Sequence, residues 1–297
     1  MGINKNITSM ETHYARMVAE KAAKYGKKTI MRYRRVDSEE WLSLSWTEFA
    51  NEVDTLARAF VNMGMQVGDR VGQFSQNMAE NFVIDFALYA NRCVVVPIYA
   101  TSSASQVEFI ARNSGMKMLV VGEQQQYDAA YEVIDRCPDL QHIVAIDPHV
   151  KLHDDGGRSM YYTTLRDAGR QPSTDTDSIL NERRRSAVLT DTAAILYTSG
   201  TTGNPKGVVL THEGFIQQME NHDMRLNVTE KDVSVCFLPI THVLERTWCY
   251  YLMHRGAEIV VNLRPQQIQE TIKQIRPSMM TAVPRFWEKV YIGIREK

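Results

Sequence analysis

The sequence predicts an α/β protein built on doubly wound parallel sheets flanked by helices. Two observations carry this. Short β-branched runs alternate with segments of helical periodicity from about residue 45 to residue 146. Those runs are too uniformly apolar to keep one wet face, as in CVVVPIY at 93–99 and MLVV at 118–121, so helices must cover both sides.

Taken in order, SWTE at 45–48 reads as a capping box. It opens a helix that puts Phe49, Val53, Leu56, Phe60 and Met63 on one face and stops near Gly64. A strand at 71–74 follows the Gly68-Asp69 turn. Next come a helix at 79–90, a buried strand at 93–99 and a helix at 105–113 ended by Ser114-Gly115. A strand at 118–121, a helix at 128–136 before Pro138 and a strand at 142–146 continue the alternation.

Residues 151–185 break the pattern. They are rich in Asp, Ser, Thr, Arg and Gly, and read as an excursion over the surface with one short helix near 163–167. The run ERRR at 182–185 reads as a solvated face in preference to a phosphate site. Order returns with AAILY at 193–197, a strand that runs into a Gly/Thr/Ser loop. Beyond the loop lie a strand at 208–210, a helix start at THEG (211–214), strands at 233–238 and 258–261, and a helix at 268–275. A strand is expected at 279–283. From Phe286 a helical stripe of Phe286, Val290 and Ile294 reaches Lys297 without a stop signal, so the chain reads as ending inside a domain.

Composition sets the outer limits. Hydrophobic residues make up 44% and charged residues 23%, as in an ordinary globular protein. A formal net charge of −1 argues against nucleic acid as a partner, so any anionic ligand has to be met locally. Cys93, Cys137, Cys236 and Cys249 are far apart, form no CxxC and sit beside apolar runs, which fits free thiols in a reducing cytoplasm. The first ten residues carry no signal-peptide core, Asn6 stands where a myristoylation signal needs Ser or Thr, and no run reaches membrane-span length. The expected location is cytoplasmic, with at most a peripheral contact at an inner membrane. His149 and His153, with Asp154 and Asp155 adjacent, lie in the surface stretch and read as surface residues in preference to a metal site. Fifteen methionines read as adaptable core packing. Oligomeric state is not legible.

The chemistry concentrates in YTSGTTGNPKG at 197–207. Gly200, Gly203 and Gly207 let the backbone turn tightly and bring N–H groups to an anion. The hydroxyls of Thr198, Ser199, Thr201 and Thr202 add uncharged donors, and Lys206 supplies one cation suited to phosphate. The loop leaves the end of a strand, where α/β sheets bind ligands. A Walker A loop is excluded, because Pro205 precedes the lysine and Gly207 follows it where Ser or Thr would hold magnesium. A plain polar turn needs two or three such residues, not ten in succession. The loop is built to hold a polyphosphate.

This motif resembles the phosphate-loop signature of the adenylate-forming superfamily. The likeness extends to GDRV at 68–71, VPIYATSSASQVEFI at 96–110, LPITHVLERTW at 238–248 and VPRFWEK at 283–289, stretches similar to bacterial long-chain fatty-acid–CoA ligases. The resemblance implies two packed α/β subdomains, one from 1–75 with 226–297 and a second from 76–225 carrying the loop. It implies activation of a fatty acid by ATP to acyl-AMP, then transfer to coenzyme A, with Mg²⁺ as cofactor. Thr198, Ser199, Gly200, Thr201, Thr202 and Gly203 would grip the phosphates, and Thr198 would also contact Mg²⁺. Lys206 would aid the phosphates or loop closure, and His242 would lie near the acyl and adenylate groups. For His242 a core histidine is the competing reading. For Glu245 and Arg246 an internal ion pair stands equally beside substrate contact, and Trp248 reads as core.

Several parts expected of that superfamily do not occur in this sequence. No Tyr-Gly-x-Thr-Glu follows the loop and no Thr-Gly-Asp is present, so the adenine, ribose and second metal contacts have no counterpart. The lysine-bearing C-terminal domain is absent as well. The expectation is an N-terminal portion, inactive alone. The alternatives are a nucleotide- or acyl-binding module without turnover, an enzyme for another carboxylic acid, or a fatty-acyl-AMP ligase.

Overall fold

The computed structural model describes residues 13–198 and 205–295. In chain order the elements begin α1 (Tyr14–Tyr25), β1 (Thr29–Tyr33), β2 (Leu42–Ser45), α2 (Trp46–Asn62), β3 (Arg70–Ser75), α3 (Ala79–Ala90) and β4 (Val94–Tyr99). They continue α4 (Ala104–Ser114), β5 (Met118–Val121), α5 (Gln124–Tyr131), β6 (His142–Ala145), β7 (Ser159–Tyr161), α6 (Tyr162–Asp167) and α7 (Thr174–Arg185). The last are β8 (Thr192–Thr198), β9 (Lys206–Thr211), α8 (His212–Asp223), β10 (Val233–Cys236), α9 (Val243–Arg255), β11 (Glu258–Val261), α10 (Ile268–Ile275) and α11 (Pro284–Arg295).

Two sheets organise these elements. The larger runs β7-β6-β5-β3-β4-β8-β9 and the smaller β10-β11-β1-β2. All neighbours are parallel except the edge pairs β8–β9 and β1–β2. Side chains along the inner strands of the larger sheet alternate between two cores. Met118, Val120 and Val144 face one core, and Leu119, Val121, Ile143 and Ala145 face the other. Both faces are dry, as the uniform apolar runs predict. The first core continues through α1, α2, α3 and α9 to Met31 and Ile259 of the smaller sheet, so a helical layer joins the sheets.

Ser45 caps α2 as read: its hydroxyl accepts the Glu48 N–H at 3.2 Å, and the Glu48 carboxylate accepts the Ser45 N–H at 2.8 Å. Other expectations need correction. β3 pairs with β4 and β5, so residues 70–75 belong with the loop-bearing sheet and not with the 1–75 portion. Residues 279–283 form no strand; Met279 makes a single bridge to Ser234. The 151–185 excursion contains β7 and the three-turn helix α7 as well as α6. Within the run 182–185, Arg183 is buried and donates to the Asn91 side chain and the Met65 carbonyl, both at 2.8 Å. Arg184 pairs with Asp54 on α2. These two arginines fasten α7 to its neighbours, while Glu182 and Arg185 pair with each other on the exposed face as read. No helix among the described residues is long and apolar enough to cross a membrane.

Candidate functional site

β8 lies beside β4, parallel to it, and its end points where ligands bind in such sheets. It returns antiparallel as β9, with Thr198 opposite Lys206 and Tyr197 opposite Gly207. Cross-strand partners share a face, so the Thr198 hydroxyl and the Lys206 ammonium flank the loop mouth on one side, both exposed. Ser199, Gly200, Thr201, Thr202 and Gly203 lie outside the described residues. Tyr197 is anchored below the mouth: its hydroxyl donates to the Asn113 side chain at 2.6 Å. A Cβ at Gly207 would sit 3.0 Å from Ile195 and 3.2 Å from the Tyr197 ring, so the glycine admits that ring across the strand pair.

Past β9, Thr211 caps α8, and His212 turns inward against His13 with ring centroids 3.8 Å apart. Burial holds His212 well below the ordinary imidazole range, with His13 adding to the shift. His212 packs as a neutral core ring.

The second half of the site is the turn between β10 and α9. His242 caps α9: its Nδ1 accepts the Leu244 N–H at 3.2 Å. A neutral ring bound in this way carries its proton on Nε2. His242 is exposed, so the core-histidine reading fails. Glu245 and Arg246 are both fully buried, and each has a different partner. Arg246 Nη1 donates to Asp85 at 2.5 Å and to the Tyr250 hydroxyl at 2.8 Å, while its Nε donates to the Ile240 carbonyl at 3.0 Å. Asp85 also accepts from the Tyr250 hydroxyl at 2.6 Å and from Gln73 at 2.9 Å. Glu245 accepts the Phe237 N–H at 3.1 Å. The ion pair therefore forms, with Asp85 in place of Glu245. Trp248 is buried and donates to the Ser234 hydroxyl at 3.0 Å, a core position as read.

The profile of the AMP-binding enzyme family matches residues 18–296. The chain belongs to the AMP-binding enzyme family. It is 29% identical over 263 residues to FadD15 of Mycobacterium bovis, a long-chain-fatty-acid–CoA ligase, covering 87% of this chain and 42% of that protein. It is 26% identical over 282 residues to ACSBG2 of Xenopus laevis, likewise a long-chain-fatty-acid–CoA ligase, covering 91% of this chain and 37% of the relative. The chain thus spans less than half the length of these relatives. Among solved structures, a long-chain-fatty-acid–CoA ligase (FadD1) of Archaeoglobus fulgidus shares the fold with a TM-score of 0.78 at 22% identity, over 97% of this chain and 55% of that one. The N-terminal domain of FACL13 from Mycobacterium tuberculosis does so with a TM-score of 0.74 at 20% identity, over 93% of this chain and 64% of that one.

Further features of this AMP-binding chain were not legible beforehand. An apolar groove of about 1450 Å³ opens between the β10–α9 turn, α10 and α11, lined by Phe237, Ile272, Met280, Phe286, Trp287 and Val290. The VPRFWEK motif forms part of that wall. The ligand atoms of Cys236, Glu245 and Cys249 converge within 4.8 Å of one another, all buried. Glu245 and Cys249 lie one helical turn apart, a spacing that faces both toward β10. His149 and His153 serve separately: His149 Nδ1 lies 2.9 Å from Asp147, and the His153 ring stacks on Tyr131 at 4.0 Å.

Proposed function

We propose that this chain supplies the ATP-gripping part of an enzyme that joins a long-chain fatty acid to AMP and then to coenzyme A. The observation that carries the reading is the hairpin mouth of the phosphate loop, where Thr198 opposes Lys206 at the end of a buried parallel strand. Family membership and the names of the relatives point the same way.

A carboxylate is a poor electrophile, so the first step exchanges pyrophosphate on ATP for the acyl oxygen. That step demands neutralised phosphate charge and an in-line approach. Loop N–H groups and hydroxyls, with Lys206, would hold the phosphates and disperse charge as pyrophosphate departs. His242 offers an Nε2 proton donor at the solvent face of its turn, suited to orient the carboxylate or the adenylate. The exposed Thr198 hydroxyl is a hard oxygen donor and fits Mg²⁺ together with phosphate oxygens, where the ion would supply charge neutralisation. The two sheets would form the two subdomains of this site.

Acid-dependent exchange of pyrophosphate into ATP, with palmitate as the acid, tests the reading. The polypeptide that carries this sequence together with the relatives' remaining length should exchange, and these 297 residues alone should not. A second reading is a nucleotide- or acyl-binding module without turnover. No exchange by the longer polypeptide with palmitate or any other acid would leave only that second reading. Exchange with a short or aromatic acid in place of palmitate would reassign the substrate. Thioester that forms on a carrier protein and not on coenzyme A would indicate a carrier-protein acceptor.

A further inference from the structure

Asn77 lies in the connection from β3 to α3, outside every motif discussed above, and is buried. Its Oδ1 accepts the Ile240 N–H at 3.0 Å and its Nδ2 donates to the Leu238 carbonyl at 2.8 Å. Both ends of the amide are used, which fixes its orientation. A single side chain thereby holds two backbone groups of the turn that leads to His242. The rest of that turn is held from its own side. Glu245 accepts the Phe237 N–H, Arg246 donates to the Ile240 carbonyl, and the His242 N–H donates to the Pro239 carbonyl at 2.9 Å. Buried backbone groups must find partners, and here they come from the β3–α3 connection on one side and from α9 and the turn itself on the other.

This matters because of where Asn77 is attached. β3 is separated by β4 alone from β8, the strand that ends in Thr198. Asn77 therefore ties the turn carrying His242 to the sheet carrying the phosphate loop. The ion pair between Asp85 of α3 and Arg246 of α9 makes a second tie along the same seam.

We propose that Asn77 is a positioning residue that fixes His242 relative to the β8–β9 hairpin bearing Thr198 and Lys206; this rests on the adenylate-forming reading above. Among the described residues Asn77 makes no hydrogen bond to Thr198, Lys206 or His242, and it acts through the Leu238–Ile240 backbone. The amide is needed because one group must donate and the other accept. Aspartate keeps an acceptor for Ile240 but sets an anion against the Leu238 carbonyl, and alanine loses both bonds.

The test is a double-mutant cycle in the longer polypeptide, with palmitate-dependent exchange as readout. Asn77→Ala should lower kcat/KM for the acid by about tenfold to a hundredfold, the scale of a small misplacement, and leave KM for ATP unchanged. In a His242→Ala background the same change should cost nothing further, because its route is already gone. Additive losses would overturn the proposal. An independent readout uses the 297-residue chain itself, with ring-labelled histidine followed by NMR. Asn77→Ala and Asn77→Asp should shift the His242 ring signals, while those of the buried His13–His212 pair stay in place and report an intact fold. Unchanged His242 signals would overturn the proposal whatever the activity. If the unmutated longer polypeptide shows no exchange, the functional reading falls, and the NMR arm still decides whether Asn77 positions His242.

Discussion

Replacing Glu245 with glutamine should stabilise the chain, by an amount that grows with pH. Glu245 is fully buried, its Oε1 accepts one N–H, and its Oε2 has no hydrogen-bond partner among the described residues. Burial pushes the carboxyl from 4.5 to about 8, against the pull of the neighbouring Cys236 thiol and the Phe237 N–H. The sign follows from linkage. An acid with a folded value above its unfolded one stabilises the fold while protonated; that contribution is whole below 4.5 and is lost as pH rises to about 8. The span from 4.5 to about 8, at about 1.4 kcal/mol per pH unit, amounts to roughly 5 kcal/mol at most.

Glutamine keeps the acceptor for Phe237 and never ionises. Glu245→Gln should therefore match the parent near pH 4.5 and exceed it by several kcal/mol near pH 8, on the order of the linkage span. Urea unfolding of both proteins across that window measures the gap. Cys236 is held far above its ordinary value by its hydrogen bond with Cys249 and by burial, and Cys249 is raised by burial, so neither thiol titrates there. Groups such as His13, which burial lowers to about 4, enter both proteins equally and cancel. A gap that stays constant with pH, or that shrinks as pH rises, would refute the reasoning.

The other seam and the loop give further expectations. Asp85→Asn leaves a buried guanidinium without its anion and should cost about 3–5 kcal/mol in urea unfolding. Asp85→Leu with Arg246→Met should cost less than either change alone; equal or greater loss would deny that the pair acts as a unit. Gly207→Val drives a side chain into Ile195 and the Tyr197 ring and should lose about 1–3 kcal/mol by thermal unfolding, partly restored by adding Ile195→Ala. In the longer polypeptide, Thr198→Ala and Lys206→Ala should each slow palmitate-dependent exchange by about a hundredfold without moving the thermal midpoint, since both side chains are exposed. Normal exchange by either variant would remove that residue from the site.

What the sequence disclosed was set by how far apart the interacting residues lie. Ser45 and Glu48 advertise their cap from three positions away, and the apolar runs at 94–99 and 118–121 advertise a dry sheet by composition alone. The helix α7 went unread because its buried face is barely apolar: Thr176, Leu180 and Arg183 are what it hides. Its caps were nevertheless in view. Ser173 accepts the Thr176 N–H, Asp175 and Asp177 occupy the first turn, and three arginines occupy the last, an order that suits the helix dipole. The strands β1 and β2 are not legible in the sequence because neither is fully apolar, and their register emerges only from β1 pairing with β11 and β2 with β1.

The same argument separates the two halves of the candidate site. The phosphate loop is contiguous, so eleven residues announce its chemistry without help from the fold. The contacts that tie the His242 turn to the sheet bearing that loop are not contiguous. Asn77 meets Ile240 across 163 positions, and Asp85 meets Arg246 across 161. Neither pair leaves a local trace, and Arg246 beside Glu245 even suggests a local partner that the fold does not use. A motif can thus name the ligand class, while the tie between the His242 turn and the loop-bearing sheet depends on contacts that arise only when β3 and β10 end at the same seam. If adenylation needs that tie, disabling Asn77 or His242 should be functionally equivalent, and the double-mutant cycle measures that equivalence directly.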